Sequence, residues 1–193
     1  MQSLVSQLRF FSGQHLPVIQ QTEAAECGLA CLAMVAGFHG YRSNLAELRG
    51  RFNLSSQGTT LLDLMQFAEQ LHLSCRPLRI ELEQLPLLQL PAILHWDMNH
   101  FVVLEKVRGE QCVIVDPGRG RLTMSLAQVS DHFTGIALEL LPTTDFQQKV
   151  QGERLRFRDF WSSITGLKRS LAVLLALTVL LQVFSLVGPY YIQ

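Results

Sequence analysis

Apolar positions recur along the chain in two periods and then merge into one charge-free, mainly apolar run. Between Ala25 and Phe38, Leu29, Leu32, Ala33 and Ala36 fall at helical spacing, and Gly37 or Gly40 stands where the helix would end. Asn44 followed by Glu47 has the form of a capping box for a short helix ending near Arg51. Thr60 can cap a third helix, with a stripe of Leu61, Leu64, Met65, Ala68 and Leu71. Pro77, Pro86 and Pro91 then punctuate an irregular or strand-bearing stretch.

From Ala92 the period shortens. Ala92–Trp96, His100–Leu104 and Gln111–Val115 read as three strands, with Arg108-Gly109-Glu110 as the turn between the last two. Asp116-Pro117-Gly118 stops the third. Ser125–His132 reads as a short helix and Gly135–Leu141 as a last strand. Helices first and antiparallel strands after them define an α+β fold. The expected domain covers residues 1–141, its core pattern starting near residue 12.

Residues 142–169 are polar and charge-rich, and read as a linker with an interfacial helix carrying Phe157, Phe160 and Trp161 on its apolar side. No charged residue occurs from Ser170 to Gln193. About 20 apolar residues suffice to cross a bilayer's hydrocarbon core, so residues 170–193 are expected to form a transmembrane helix. Tyr190 and Tyr191 would stand at its far interface. Lys168 and Arg169, with Lys149, Arg154, Arg156 and Arg158 upstream, place residues 1–169 in the cytoplasm by the positive-inside tendency. Met1–Phe11 does not have the form of a signal peptide. The abrupt end after the apolar run is expected of the first span of a truncated, larger membrane protein.

Composition narrows the function classes. The 193 residues are 48% hydrophobic and 17% charged, with zero formal net charge. A binder of nucleic acid through phosphate contacts would carry a basic excess, so no nucleic-acid partner is expected. The apolar content excludes a disordered chain. Four cysteines are too few for a disulfide scaffold of this size. Cys27 and Cys31 are four apart, which is wrong for a Cys-x-x-Cys redox or zinc motif, and Cys31, Cys75 and Cys112 read as packing residues. His15, His39, His72, His95 and His132 show no metal-ligand spacing, so no metal is expected. No Gly-x4-Gly-Lys-Ser/Thr run occurs, so the chain carries no P-loop.

One constellation can carry chemistry. Cys27 falls at the start of the first helix, where unpaired backbone N–H groups and the helix dipole favour a thiolate. His100 opens one strand and Asp116 ends its hairpin partner, so the imidazole and the carboxylate can meet. Such a bond fixes the tautomer in a nucleophile–base–orienter triad. Gln21, six residues before Cys27, can offer an amide N–H to an oxyanion. A cysteine in an apolar helix is also an ordinary core residue, and Asp before Pro an ordinary turn starter. Spacing alone leaves both readings open.

Gln21-Thr22-Glu23-Ala24-Ala25-Glu26-Cys27-Gly28-Leu29-Ala30-Cys31-Leu32 closely resembles the cysteine motif of the C39 peptidases, the N-terminal domains of bacteriocin-processing ABC transporters. His100-Phe101-Val102-Val103 resembles the family's histidine motif and Asp116-Pro117 its aspartate motif, most of all as in the colicin V secretion and processing group. Glu23 and Glu26 stand where the family more often has Asp. The resemblance implies a papain-like fold. It implies Cys27 as nucleophile, His100 as base, Asp116 as orienter and Gln21 as oxyanion donor. It further implies a cysteine endopeptidase that removes a double-glycine leader from a bacteriocin or microcin precursor, coupled to export. The implied partners are that leader peptide, the membrane and, for a full-length transporter, a second copy as homodimer. ATP and Mg2+ would serve only the full-length transporter, and no cofactor is expected in this chain. The implied location is the bacterial inner membrane, with the peptidase domain cytoplasmic. The rival readings are a domain that docks substrate without cutting it, another papain-like acyl-transfer or deamidation chemistry, and a membrane-anchored protease without a transporter.

Overall fold

The structure, a computed structural model, describes residues 15–52, 58–149 and 167–187. The chain divides into two units, Met1–Gly152 and Glu153–Gln193.

In the first unit a 3-10 turn at Ala24–Glu26 runs directly into helix α1, Cys27–Phe38. Helices α2 (Leu45–Arg51) and α3 (Leu61–Gln70) follow. Strand β1 (Leu73–Arg79) and a 3-10 helix at Leu82–Leu87 precede the strands β2 (Ala92–Trp96), β3 (His100–Arg108), β4 (Gln111–Asp116) and β5 (Gly120–Ser125). Helix α4 (Leu126–Ser130) and strand β6 (Phe133–Pro142) complete the sheet, whose order is β1-β6-β2-β3-β4-β5 with every neighbouring pair antiparallel. The fold is therefore α+β. Pro77 lies in β1, an edge strand, where its missing N–H costs no ladder bond.

Local signals set the helix starts. Asn44 Oδ1 accepts the Glu47 N–H at 2.7 Å. The return bond of the expected capping box is not made, because the Glu47 carboxylate pairs with Lys149 instead. Thr60 and Asp63 make a complete box: the Thr60 N–H donates to Asp63 Oδ2 at 2.8 Å, and the Asp63 N–H to Thr60 Oγ1 at 3.2 Å. Ser125 and Gln128 repeat this at α4. Each such cap contributes about 1 kcal/mol.

Helix α1 differs from the expected single-faced stripe. Every residue from Cys27 to Ala36 is buried. A helix apolar on all sides belongs inside a core, and α1 packs against β3 on one side and α2 and α3 on others. Ile93, Phe101, Val103 and Val115 join the cluster around α1. Leu94, Val102, Leu104 and Ile114 join a second cluster, on the opposite face, with Leu85 and Val129. Both faces of the central strands are thus covered, which explains their unbroken apolar runs. The chain continues to pack on this core beyond β6. Phe146 lies against the α1 cluster, and the Arg42 N–H donates to the Lys149 carbonyl at 2.7 Å.

In the second unit helix α5 covers Leu167–Val187, 21 residues. At 1.5 Å per residue this is about 31 Å of helix. Its side chains are described over 170–185 only, and among the described residues no helix is long and apolar enough to cross a membrane. The interfacial helix expected to carry Phe157, Phe160 and Trp161, and the interfacial tyrosines Tyr190 and Tyr191, lie outside the described residues.

Candidate active site

The first α-helical residue of α1 is Cys27, so its thiol stands among the unpaired N–H groups at the positive end of the helix dipole. It is buried, 4% exposed. His100 is the first residue of β3 and Asp116 the last of β4, and these strands are neighbours. His100 is delivered by a tight turn in which Asp97 and Met98 both adopt positive φ, +48° and +63°.

The His100 Nε2–H donates to Asp116 Oδ1 at 3.0 Å, and the Gly118 N–H donates to the same oxygen at 2.7 Å. Burial works to raise the Asp116 carboxyl. The bonds from His100 and Gly118 and the charges of His100 and Arg119 outweigh it and bring the carboxyl below its ordinary value. A charged carboxylate only accepts, so Nε2 carries the proton and Nδ1 is the ring atom left for the thiol. The hydrogen bond to Asp116, and after it one with Cys27, raises His100 from 6.5 to about 9 against the opposing effect of burial. Cys27, His100 and Asp116 thus lie in one line, joined at one end by the 3.0 Å bond between His100 and Asp116, with Cys27 near enough to His100 to raise its pKa.

Gln21 joins them through the other side of the Asp116 turn. Its backbone N–H donates to the Pro117 carbonyl at 3.0 Å, and its side chain lies over Gly118. Gln21 Oε1 is buried and accepts no bond among the described residues. The structure therefore brings all four sequence-predicted residues to one place.

Other residues shape the site in ways that motifs alone do not state. Glu26 is 2% exposed. Its Oε2 accepts the N–H groups of Thr22 and Glu23 at 3.0 and 3.1 Å, and its Oε1 pairs with Arg49 of α2. The segment between Gln21 and Cys27 is thereby folded back on a fixed carboxylate. An acidic residue directly before the cysteine was the only signal for this. Gly28 leaves room for the segment before α3: a Cβ there would lie 2.5 Å from Thr59 Oγ1. His95 occupies a register shift of β2 against β6, and its Nδ1 is 2.8 Å from Thr134 Oγ1. Burial lowers its pKa, against a bond to the Met98 carbonyl. Bulges re-aim side chains, and the sequence carries no mark of this one.

Two cavities flank the line. One, about 610 Å³, is mainly apolar and includes Cys27, Ala25, Leu61, Phe101 and Ile136, with Thr59 and His95 among its polar groups. The other, about 430 Å³, includes Gln21, Trp96, Asp97, His100, Asp116 and Arg119. Ala24 and Asn99 border both.

The remaining cysteines are placed for packing. Cys31 is fully buried, and burial first, then Cys27 and Asp116, raises its thiol well above the ordinary range. Burial pushes Cys75 up to about 11, with Glu69 adding to it. Among the described residues no group of three or more His, Cys, Asp or Glu is arranged to hold a metal ion.

The chain matches the peptidase C39 family over residues 15–145. It is 44% identical over 186 residues to MchF of Escherichia coli, a probable microcin-H47 secretion/processing ATP-binding protein. That alignment covers 96% of this chain and 27% of the relative. It is 45% identical over 176 residues to CvaB of Escherichia coli, the colicin V secretion/processing ATP-binding protein, covering 91% and 25%. The chain thus spans about a quarter of the length of these relatives. Among solved structures it is similar to a double glycine motif protease from an AMS/PCAT transporter in complex with the leader peptide. The TM-score is 0.63 at 36% identity, covering 67% of this chain and 94% of that one. The peptidase domain of Streptococcus ComA, a bi-functional ABC transporter, gives a TM-score of 0.62 at 28% identity, covering 67% and 100%.

Proposed function

The chain belongs to the peptidase C39 family, and from this we propose that it is a cysteine endopeptidase that removes a double-glycine leader from a secreted peptide precursor. The observation that carries the proposal is the line Cys27–His100–Asp116, with its 3.0 Å bond between imidazole and carboxylate. Two named features of relatives support the substrate class: one solved neighbour is a double glycine motif protease holding its leader peptide, and the curated relatives are secretion/processing proteins.

The proposed mechanism assigns each of these residues a role. The Cys27 thiolate, paired with the protonated His100, attacks the carbonyl carbon of the second glycine. Negative charge develops on that carbonyl oxygen beside the N-terminus of α1, where the Cys27 N–H and the Gln21 amide can donate to it. As the intermediate collapses, His100 Nδ1 gives its proton to the leaving amine, and the acyl half stays on sulfur as a thioester. His100 then takes a proton from water, and hydrolysis of the thioester frees the leader and regenerates the thiol. Asp116 holds the ring through Nε2 throughout and stays ionised. Glycine suits a cleft in which Gly58 approaches Ala25 and Thr59 approaches Gly28, because a backbone without side chains can enter where space is short.

The rest of the assignment is architectural. The expected boundary at residue 141 moves outward, because Phe146 and Lys149 still pack on the core; we assign residues 1–149 to the peptidase domain, 150–169 to a linker with an interfacial helix, and 170–193 to the first transmembrane helix of an exporter's membrane domain. The charge-free sequence of residues 170–193 supports the span. The peptidase unit would then lie on the cytoplasmic side of the bacterial inner membrane, partnered by the leader of a bacteriocin or microcin precursor. ATP with Mg2+, and a homodimer, are expected only of a full-length exporter; the longer relatives are named ATP-binding proteins.

The test is cleavage of a double-glycine precursor by the full chain in detergent under reducing conditions, beside Cys27→Ala. A cut after the second glycine that is lost in the variant is expected. Binding without a cut, unchanged in the variant, would instead make the domain a docking module.

A further inference from the structure

The thioester route divides the substrate into two halves with different attachments. The acyl half, the leader, becomes bonded to Cys27. The amine half, the cargo, leaves with the proton of His100. The two cavities divide the same way. The apolar one includes Cys27 but not His100, whereas the polar one includes His100 but not Cys27. Gln21, which can donate to the carbonyl oxygen between the two halves, borders the polar one.

We propose that the polar cavity receives the first residues of the cargo, and that Asp97 and Arg119 read the charge of those residues. The proposal rests on the peptidase reading above and adds a second specificity site to it, on the opposite side of the scissile bond from the leader.

The cavity is built to hold a charged or polar peptide segment. Its volume, about 430 Å³, suits roughly two residues of ordinary size. Trp96 is 5% exposed and stacks on His132 with ring centres 5.2 Å apart, which gives the cavity a rigid side. Asp97 Oδ1 lies 2.7 Å from His132 Nδ1, which fixes the carboxylate. Its other oxygen accepts no bond among the described residues, and the side chain is 49% exposed. Arg119 is exposed and makes no ion pair among the described residues, although its charge acts on the Asp116 carboxyl. Asp116 and His100, the other charged groups of the cavity, are occupied by each other. Asp97, through its second oxygen, and Arg119 are therefore the charges with capacity left to meet a substrate. Asp97 has the further property that its backbone sits at φ +48°, a conformation Asn also tolerates, so its charge can be removed with the turn intact.

The experiment uses the full chain and precursors with one leader and a cargo that carries Ser, Lys or Glu at its first or second position. The readout is the ratio of kcat/KM for Lys over Glu. Asp97→Asn should lower this ratio, and Arg119→Gln raise it, each by about 3- to 10-fold, the effect of one charge a few ångströms away in a partly solvated site. The same charges placed deep in the leader should leave both ratios unchanged. Arg119 is exposed, so its variant carries the test even if the Asp97 variant fails to fold. Ratios equal to wild type in folded variants that still cut the Ser reference would overturn the cargo-side assignment alone. A wild-type chain that cuts none of the precursors would overturn the peptidase reading beneath it.

Discussion

His100 and Asp116 join the ends of adjacent strands, and the 3.0 Å between Nε2 and Oδ1 fixes which nitrogen faces Cys27. Because Asp116 is the first cause of the raised His100 pKa of about 9, the imidazolium persists through neutral pH. Activity needs that proton for the leaving amine, so kcat/KM should fall with an alkaline limb near 9. Asp116→Asn keeps an acceptor but removes the charge, and the limb should move at least one unit lower. Asp116→Ala removes the acceptor as well and should cost 100-fold or more in kcat/KM. A pH–rate profile of the three proteins checks this; limbs that coincide would contradict it.

The same pair predicts how stability varies with pH. A histidine whose folded pKa is raised stabilises in full below its unfolded value of 6.5, and the contribution is lost as pH rises through about 9. A carboxyl whose folded pKa is lowered stabilises above its unfolded 3.8 and loses the contribution as pH falls through the lower value. The pair should therefore contribute most between pH 3.8 and 6.5. The difference in melting temperature between wild type and His100→Ala should narrow from pH 6 to pH 10.

Glu26 should matter without touching substrate. Glu26→Gln keeps its size but weakens the bonds to Thr22 and Glu23 and ends the charge pairing with Arg49. Arg49 remains half-solvated, so the cost should be about 1–2 kcal/mol rather than that of a stranded buried charge. kcat should fall more than KM rises, because Gln21 and Cys27 shift relative to each other. Glu26→Asp should recover part of kcat. Thermal melts and steady-state kinetics on the three proteins decide this.

Gly28→Ala places a Cβ against Thr59 Oγ1. The expected loss is about 1–2 kcal/mol of stability with a matching fall in activity, despite the better helix propensity of alanine. Thr59→Ala in the same chain should restore most of it, and a double-mutant cycle measures the coupling. Additive effects would show that the two residues do not meet.

The sequence was most legible where local chemistry dictates structure. The caps at Asn44 and Thr60, the start of α1 at Cys27 and the strand ends at His100 and Asp116 all stand where the residues indicate. Strand β5 was not legible, because Gly120–Ser125 is an edge strand with few buried positions to mark a period. The stripe read into α1 was too narrow, since a helix buried on all sides has no polar face to define one. The place of His95 in the cavity that holds Cys27 is not legible because it depends on a register shift, and the structural part of Glu26 is not legible because its partners come from α2 and from backbone N–H groups.

The most direct measurement of the central claim is the mass of the acyl-enzyme. The full chain would be mixed with a double-glycine precursor, quenched in acid within one turnover, and digested for peptide mapping. The leader, ending in its second glycine, should be found as a thioester on Cys27. A leader attached to Cys31, Cys75 or Cys112, or cleavage that proceeds with no thioester and survives in Cys27→Ala, would contradict the account.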